Sequence, residues 1–168
     1  LASWFTKRAE RSPQRRALTF EDTTWTYAQL LDRIERLATG LRAGGVGSGD
    51  RVAFLGLNQP AFLEVLFATA RLGATFVPLN FRLSPAELSF IIDDAGVHTI
   101  VVDEAHRPNI DAIRDSSNVS RFVICDGPGG NGDAATWEPI DDLLALDRIT
   151  EAVEVDAGDT AIIMYTSG

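Results

Sequence analysis

Between residues 51 and 125 two kinds of apolar pattern take turns along the chain. Short continuous apolar runs of strand length fall at 51–55 (RVAFL), 75–79, 99–102 and 121–125. Between them, apolar residues recur at helical spacing. Phe62, Leu63, Val65, Leu66, Phe67 and Ala70 make the helix that opens after Asn58 and Pro60 apolar nearly all round, so it is expected to be largely buried. Ser84, Pro85 and Glu87 form a capping box with proline at the first helical position, ahead of a helix whose Leu88, Ile91, Ile92 and Ala95 share one face and which Gly96 ends. A further helix is expected over 109–115. Strand, helix and strand in this order read as successive βαβ units, which predicts an α/β fold with a mostly parallel sheet flanked by helices.

The flanking segments add detail. Residues 17–20 and 24–26 surround the polar turn Glu21-Asp22-Thr23 and predict a small N-terminal hairpin. Thr26 caps a following helix with Gln29 three residues on, and Leu30, Ile34, Leu37 and Leu41 form its apolar stripe up to Gly44 and Gly45. Asp126 to Ala135, DGPGGNGDAA, has the composition of a mobile surface loop ahead of a short helix over 141–146. Residues 160–165, TAIIMY, predict a last strand that delivers Thr166, Ser167 and Gly168 to the C-terminal edge of the sheet, where open α/β sheets meet ligands.

Charge and composition narrow the function classes. A formal charge of -9 and a pI near 4.6 leave no clustered lysine and arginine to neutralise nucleic-acid phosphates. The longest apolar stretches carry a charge and fall short of a membrane span. One cysteine excludes a disulfide scaffold and suits a reducing cytoplasm; no basic amphipathic helix argues for the alternative, a location peripheral to a membrane. Cys125, inside RFVIC, reads as a buried inert thiol.

Two glycine clusters fail as nucleotide motifs. Gly45, Gly47 and Gly49 have dinucleotide-like spacing, but a helix precedes and a strand follows them, the reverse of what that motif needs. Gly127 and Gly132 have the spacing of a phosphate-loop glycine pair, but Asp133-Ala134 stands where Lys and Ser or Thr are required. His98 and His106 have no partners at metal-ligand spacing, so structural or solvated roles and no metal site are expected. Gly73 and Pro78 read as a structural corner.

The ordered run from TWTYAQLLDRIERLATGL through ARLGATFVPLN (70–80) to IIMYTSG (162–168) resembles the AMP-forming acyl-CoA synthetases of the adenylate-forming superfamily, over nearly the whole chain. Asn80 departs from peptide-synthetase adenylation domains, which usually have Asp nearby; PLNFRLSPAEL is more similar to synthetases acting on fatty or related acids. The resemblance implies a reaction in which a carboxylic acid and ATP give acyl-AMP and pyrophosphate, and coenzyme A then displaces AMP. Mg2+, ATP and coenzyme A are the implied cofactor and co-substrates, with a small carboxylic acid as partner.

It further implies that residues 1–168 are part of an N-terminal domain, ending at the start of a phosphate loop and without the C-terminal domain. Thr166 and Ser167 are implied as hydroxyl donors to ATP phosphate, with Gly168 allowing close approach and no catalytic residue in this stretch. These 168 residues alone are therefore expected to be inactive, and to self-associate through apolar surface. The alternatives at this point are a stand-alone, non-catalytic binding module on the same fold and an adenylation domain of a peptide synthetase.

Overall fold

The computed structural model describes residues 1–127, 137–148 and 151–166. In chain order its elements are helix α1 Ala2–Arg11, strands β1 Arg16–Phe20 and β2 Thr23–Thr26, helix α2 Tyr27–Ala43 and strand β3 Arg51–Leu55. Helix α3 Pro60–Arg71, β4 Thr75–Leu79, α4 Pro85–Ala95 and β5 Thr99–Val102 follow. The last elements are α5 Arg107–Asp111, a 3-10 turn Arg114–Ser116, β6 Arg121–Ile124, β7 Glu138–Pro139 and α6 Ile140–Leu144. Strands β1 and β2 form the antiparallel hairpin. The other five make one sheet in the order β4-β3-β5-β6-β7, with every neighbouring pair parallel.

Alternation along the strands divides the core into two layers. Val52, Phe54, Phe76, Val101 and Val123 face α1, α2, α3 and α6. Ala53, Leu55, Val77, Ile100, Val102 and Ile124 face α4 and α5. With both faces covered, the strands need not alternate apolar and polar, which is why they stand out in the sequence as continuous runs. Both capping boxes are formed, Thr26 with Gln29 and Ser84 with Glu87. Gly96 ends α4 in the left-handed region at φ +63, and Arg51 donates to the carbonyls of Ala95 (2.8 Å) and Gly96 (2.5 Å), placing a positive charge at that helix end.

Two expectations are corrected, and one helix is new. The helix expected over 109–115 starts earlier and is shorter, because Pro108 fixes a first-turn φ at Arg107–Asp111 and the chain then tightens into the 3-10 turn. Helix α3 is largely buried, as its apolar sequence suggests: Phe62, Leu63 and Leu66 are half-buried, and even the charged Glu64 and Arg71 are buried. Helix α1 had no counterpart in the sequence reading; Phe5 and Ala9, four residues apart, bury its inner face. Residues 160–165 form no strand but a single parallel bridge, Phe76 to Ile162. Of the expected loop 126–135, Asp126 and Gly127 are described and the rest lies outside the described residues.

Proline 78 explains why the last strand is cut short. On the outer edge of β4 the Phe76 N–H donates to Ala161 O and the Ile163 N–H donates to Phe76 O, both at 3.0 Å. Two residues on, the next donor on that edge would be residue 78, and proline has no N–H. The ladder stops at Ile163.

Candidate active site at the C-terminal edge of the sheet

The sheet has its switch point between β3 and β5. Strand β3 feeds α3 on one face, and its neighbour β5 feeds α5 on the other, so the loops part above their C-terminal ends. Asp103, 2% exposed, bridges the two loops there. Its carboxylate accepts the N–H of Leu57 at 2.9 Å, the N–H of His106 at 2.9 Å, and lies 2.5 Å from His106 Nδ1. Only a glycine fits beside it at position 56, where a Cβ would lie 2.7 Å from Asp103 Oδ2. The His106 ring in turn lies 5.5 Å from that of Phe81, over which Arg82 is placed at 5.6 Å. His106 therefore has the structural role expected of it, with a partner the sequence did not reveal; His98 is exposed.

At the outer edge, beyond β4, lies a cleft of about 540 Å³ lined by Asn80, Leu83, Glu87, Phe90, Tyr165 and Thr166, among others. Its floor is a corner. Asn80 Oδ1 accepts the N–H of Arg82 at 3.0 Å, turning the chain from β4 toward the Ser84 cap of α4. Its far wall is the segment tied to β4 through Phe76, which brings Tyr165 and Thr166 to the rim. The Tyr165 hydroxyl donates to Asp94 Oδ2 on α4 at 2.5 Å. That bond favours the neutral phenol and, with some burial and the negative charge of Asp94, pushes the Tyr165 pKa up to about 12.

Of the three expected phosphate-binding residues, Thr166 is exposed at this rim, and Ser167 and Gly168 lie outside the described residues. Cys125 is half-buried with its thiol pushed well above the ordinary range, first by burial and then by Asp126 and Asp103, in keeping with an inert group. Among the described residues no group of three His, Cys, Asp or Glu could hold a metal ion. No described helix is long and apolar enough to cross a membrane. Gly73 has φ +67 at the turn between α3 and β4, the corner expected of it.

Three of the charged contacts in this structure join residues too far apart in sequence for local pattern to reveal. Asp103 sits at the end of an apolar strand, and Tyr165 is bound to Asp94 from an element far away in sequence. Between α2 and α3, Arg71 pairs with Glu35 at 2.9 Å, both side chains about as buried as the core around them. A usable signal existed for the last: Arg71 ends a helix apolar on nearly every side, where a charge needs a buried partner.

The chain matches the family described as AMP-binding enzyme over residues 5–168. Feruloyl-CoA synthase of an Amycolatopsis species is 42% identical over 168 residues, covering all of this chain and 31% of that protein. Indoleacetate--CoA ligase of Aromatoleum aromaticum is 35% identical over 170 residues, covering all of this chain and 32% of that protein. A solved fatty acyl CoA synthetase of Mycobacterium tuberculosis has a TM-score of 0.84 at 32% identity, over 99% of this chain and 32% of that one. The chain thus spans about a third of the length of these relatives. A parallel sheet, a cleft at its C-terminal edge and a match running almost end to end all agree that this chain belongs to the AMP-binding enzyme family.

Proposed function

We propose that these residues form part of the N-terminal domain of an AMP-forming acid–thiol ligase. A carboxylate oxygen of the acid attacks the α-phosphorus of ATP, the bond to pyrophosphate breaks, and acyl-AMP forms. The sulfur of coenzyme A then attacks the acyl carbonyl carbon and AMP leaves with the bonding pair. The observation that carries this reading is the family match over residues 5–168. Thr166 and Ser167 are the proposed hydroxyl donors to phosphate, and Gly168 the residue that lets the anion approach. The position of Thr166 on the cleft at the C-terminal edge of a parallel sheet supports this assignment. A magnesium ion would enter with ATP and would neutralise charge on the departing pyrophosphate; among the described residues no cluster of three His, Cys, Asp or Glu stands ready to ligate it.

For the acid, the PLNFRLSPAEL segment supports a fatty chain. A second reading, an aryl acid, is supported by relatives named for feruloyl-CoA and indoleacetate at 42% and 35% identity. The test is to supply the full-length protein with ATP, coenzyme A and, in turn, ferulate, indoleacetate and palmitate. Release of AMP with thioester formation is expected, and release of ADP would overturn the proposal. Residues 1–168 alone are expected to catalyse no pyrophosphate exchange with any of these acids. With Phe90, Ile162 and Met164 exposed, they are also expected to self-associate, as light scattering would reveal.

A further inference from the structure

The segment that carries Thr166 is registered by backbone bonds only as far as Ile163, because Pro78 removes the next donor on the edge of β4. Beyond that point it is held by a side chain. We infer that the hydrogen bond from Tyr165 to Asp94 is a positioning latch: it takes the place of the missing ladder step and fixes where Thr166 stands on the rim of the cleft. This inference rests on the proposed role of Thr166.

Three observations support it. The Tyr165 hydroxyl reaches Asp94 Oδ2 at 2.5 Å, a distance typical of a short charge-assisted bond. The Tyr165 ring and Ile163 pack on the same core layer as Leu83, so the hydroxyl is presented to α4 from a half-buried ring with few rotamers open to it. Asp94 itself stands in the last turn of α4, the end where the helix dipole disfavours an anion. Arg51 serves the carbonyls of that end rather than the Asp94 carboxylate, and Asp93 is met by Asn118 at 3.4 Å. An acid placed against the dipole and partnered by Tyr165 is what a latch requires, and it does nothing for α4 taken alone.

The latch explains a geometric need. Thr166 follows Tyr165 directly, so swinging the Tyr165 ring away from α4 would move the Thr166 backbone with it, and a hydroxyl misplaced by an ångström loses most of its value to a reacting phosphate. In this scheme Tyr165 and Asp94 are positioning residues that act through Thr166.

The test uses the full-length protein with Tyr165→Phe, Asp94→Ala, Asp94→Asn and the Tyr165→Phe/Asp94→Ala pair, each assayed for pyrophosphate exchange. Tyr165→Phe and Asp94→Ala are each expected to lower kcat about 10-fold with KM for the acid unchanged. The double variant should be no worse than either single one, and Asp94→Asn, whose amide oxygen still accepts from the hydroxyl, should recover most of the rate. Additive losses, or equal losses in Asp94→Asn and Asp94→Ala, would overturn the latch. Amide exchange at Tyr165 and Thr166 is a second readout that needs no turnover: faster exchange in Tyr165→Phe is expected, and unchanged exchange counts against the latch. A wild-type protein that forms no adenylate with any acid would sink the phosphate reading and the positioning role together, while amide exchange would still report whether the contact holds the segment.

Discussion

Replacing Arg71 by methionine removes one half of an ion pair sealed between α2 and α3. Arg71 is 3% and Glu35 4% exposed, with Nη2 to Oε1 at 2.9 Å, and Arg71 also donates to Thr6 Oγ1 on α1 at 3.0 Å. Burial is the largest influence on both: it holds the Glu35 carboxyl above its ordinary range despite Arg71 and Arg148, and Arg71 below its ordinary range despite Glu35. Desolvation thus outweighs attraction, and the pair adds little net stability over an apolar isostere. Breaking it is another matter. Arg71→Met leaves Glu35 to Arg148, half-exposed and 3.5 Å away, with Asp32 nearby.

Loss of one partner of a buried pair typically costs 3–5 kcal/mol, and the remaining contact to Arg148 puts this case at about 3 kcal/mol. For a chain of this size that corresponds to a melting temperature lower by about 6–12 °C. The double variant Glu35→Leu/Arg71→Met should recover most of the loss, since neither charge remains to be desolvated. Thermal and urea unfolding of wild type, both single variants and the double variant measure the cycle. If the double variant were no more stable than Arg71→Met alone, the pair would be a net stabiliser over its apolar replacement and the desolvation argument would fail, while strictly additive losses would show the two side chains to be uncoupled.

Four shorter predictions follow from the same geometry. The Tyr165 phenol is raised from 10.0 to about 12, so its contribution to stability is fully present below pH 10 and lost as pH rises through 12; an alkaline absorbance titration of wild type against Tyr165→Phe should show one tyrosine titrating late, and its absence would remove the contact with Asp94. Gly96→Ala forces a side chain into φ +63 and against Arg51 Nη2, and should cost at least about 1 kcal/mol in urea unfolding; a neutral result would mean the turn relaxes freely. Pro78→Val restores an N–H opposite Ile163 O, and that new amide should be protected from exchange; rapid exchange would show that something other than proline ends the ladder. Thr166→Ala/Ser167→Ala in the full-length protein should weaken transition-state stabilisation by about 1–3 kcal/mol in adenylation kinetics, and an unchanged rate would assign both residues to a structural turn.

The frame of the fold is written in local pattern. Four of the sheet strands stand out because a sheet covered on both faces needs unbroken apolar runs, and both capping boxes are legible because their donors and acceptors lie three residues apart. The candidate site was legible as a motif at the end of the chain, on the edge of the sheet where ligands bind. Tertiary structure decided how that edge is held. That Pro78 faces the 160–165 segment, that β4 is the edge strand of the five, and that Tyr165 meets Asp94 depend on strand order, which local pattern does not encode. The same holds for Asp103 between the β3 and β5 loops and for Arg71 against Glu35: each joins residues between 36 and 71 positions apart or links loops on adjacent strands, and a polar residue shows its partner only once the chain has brought the two together.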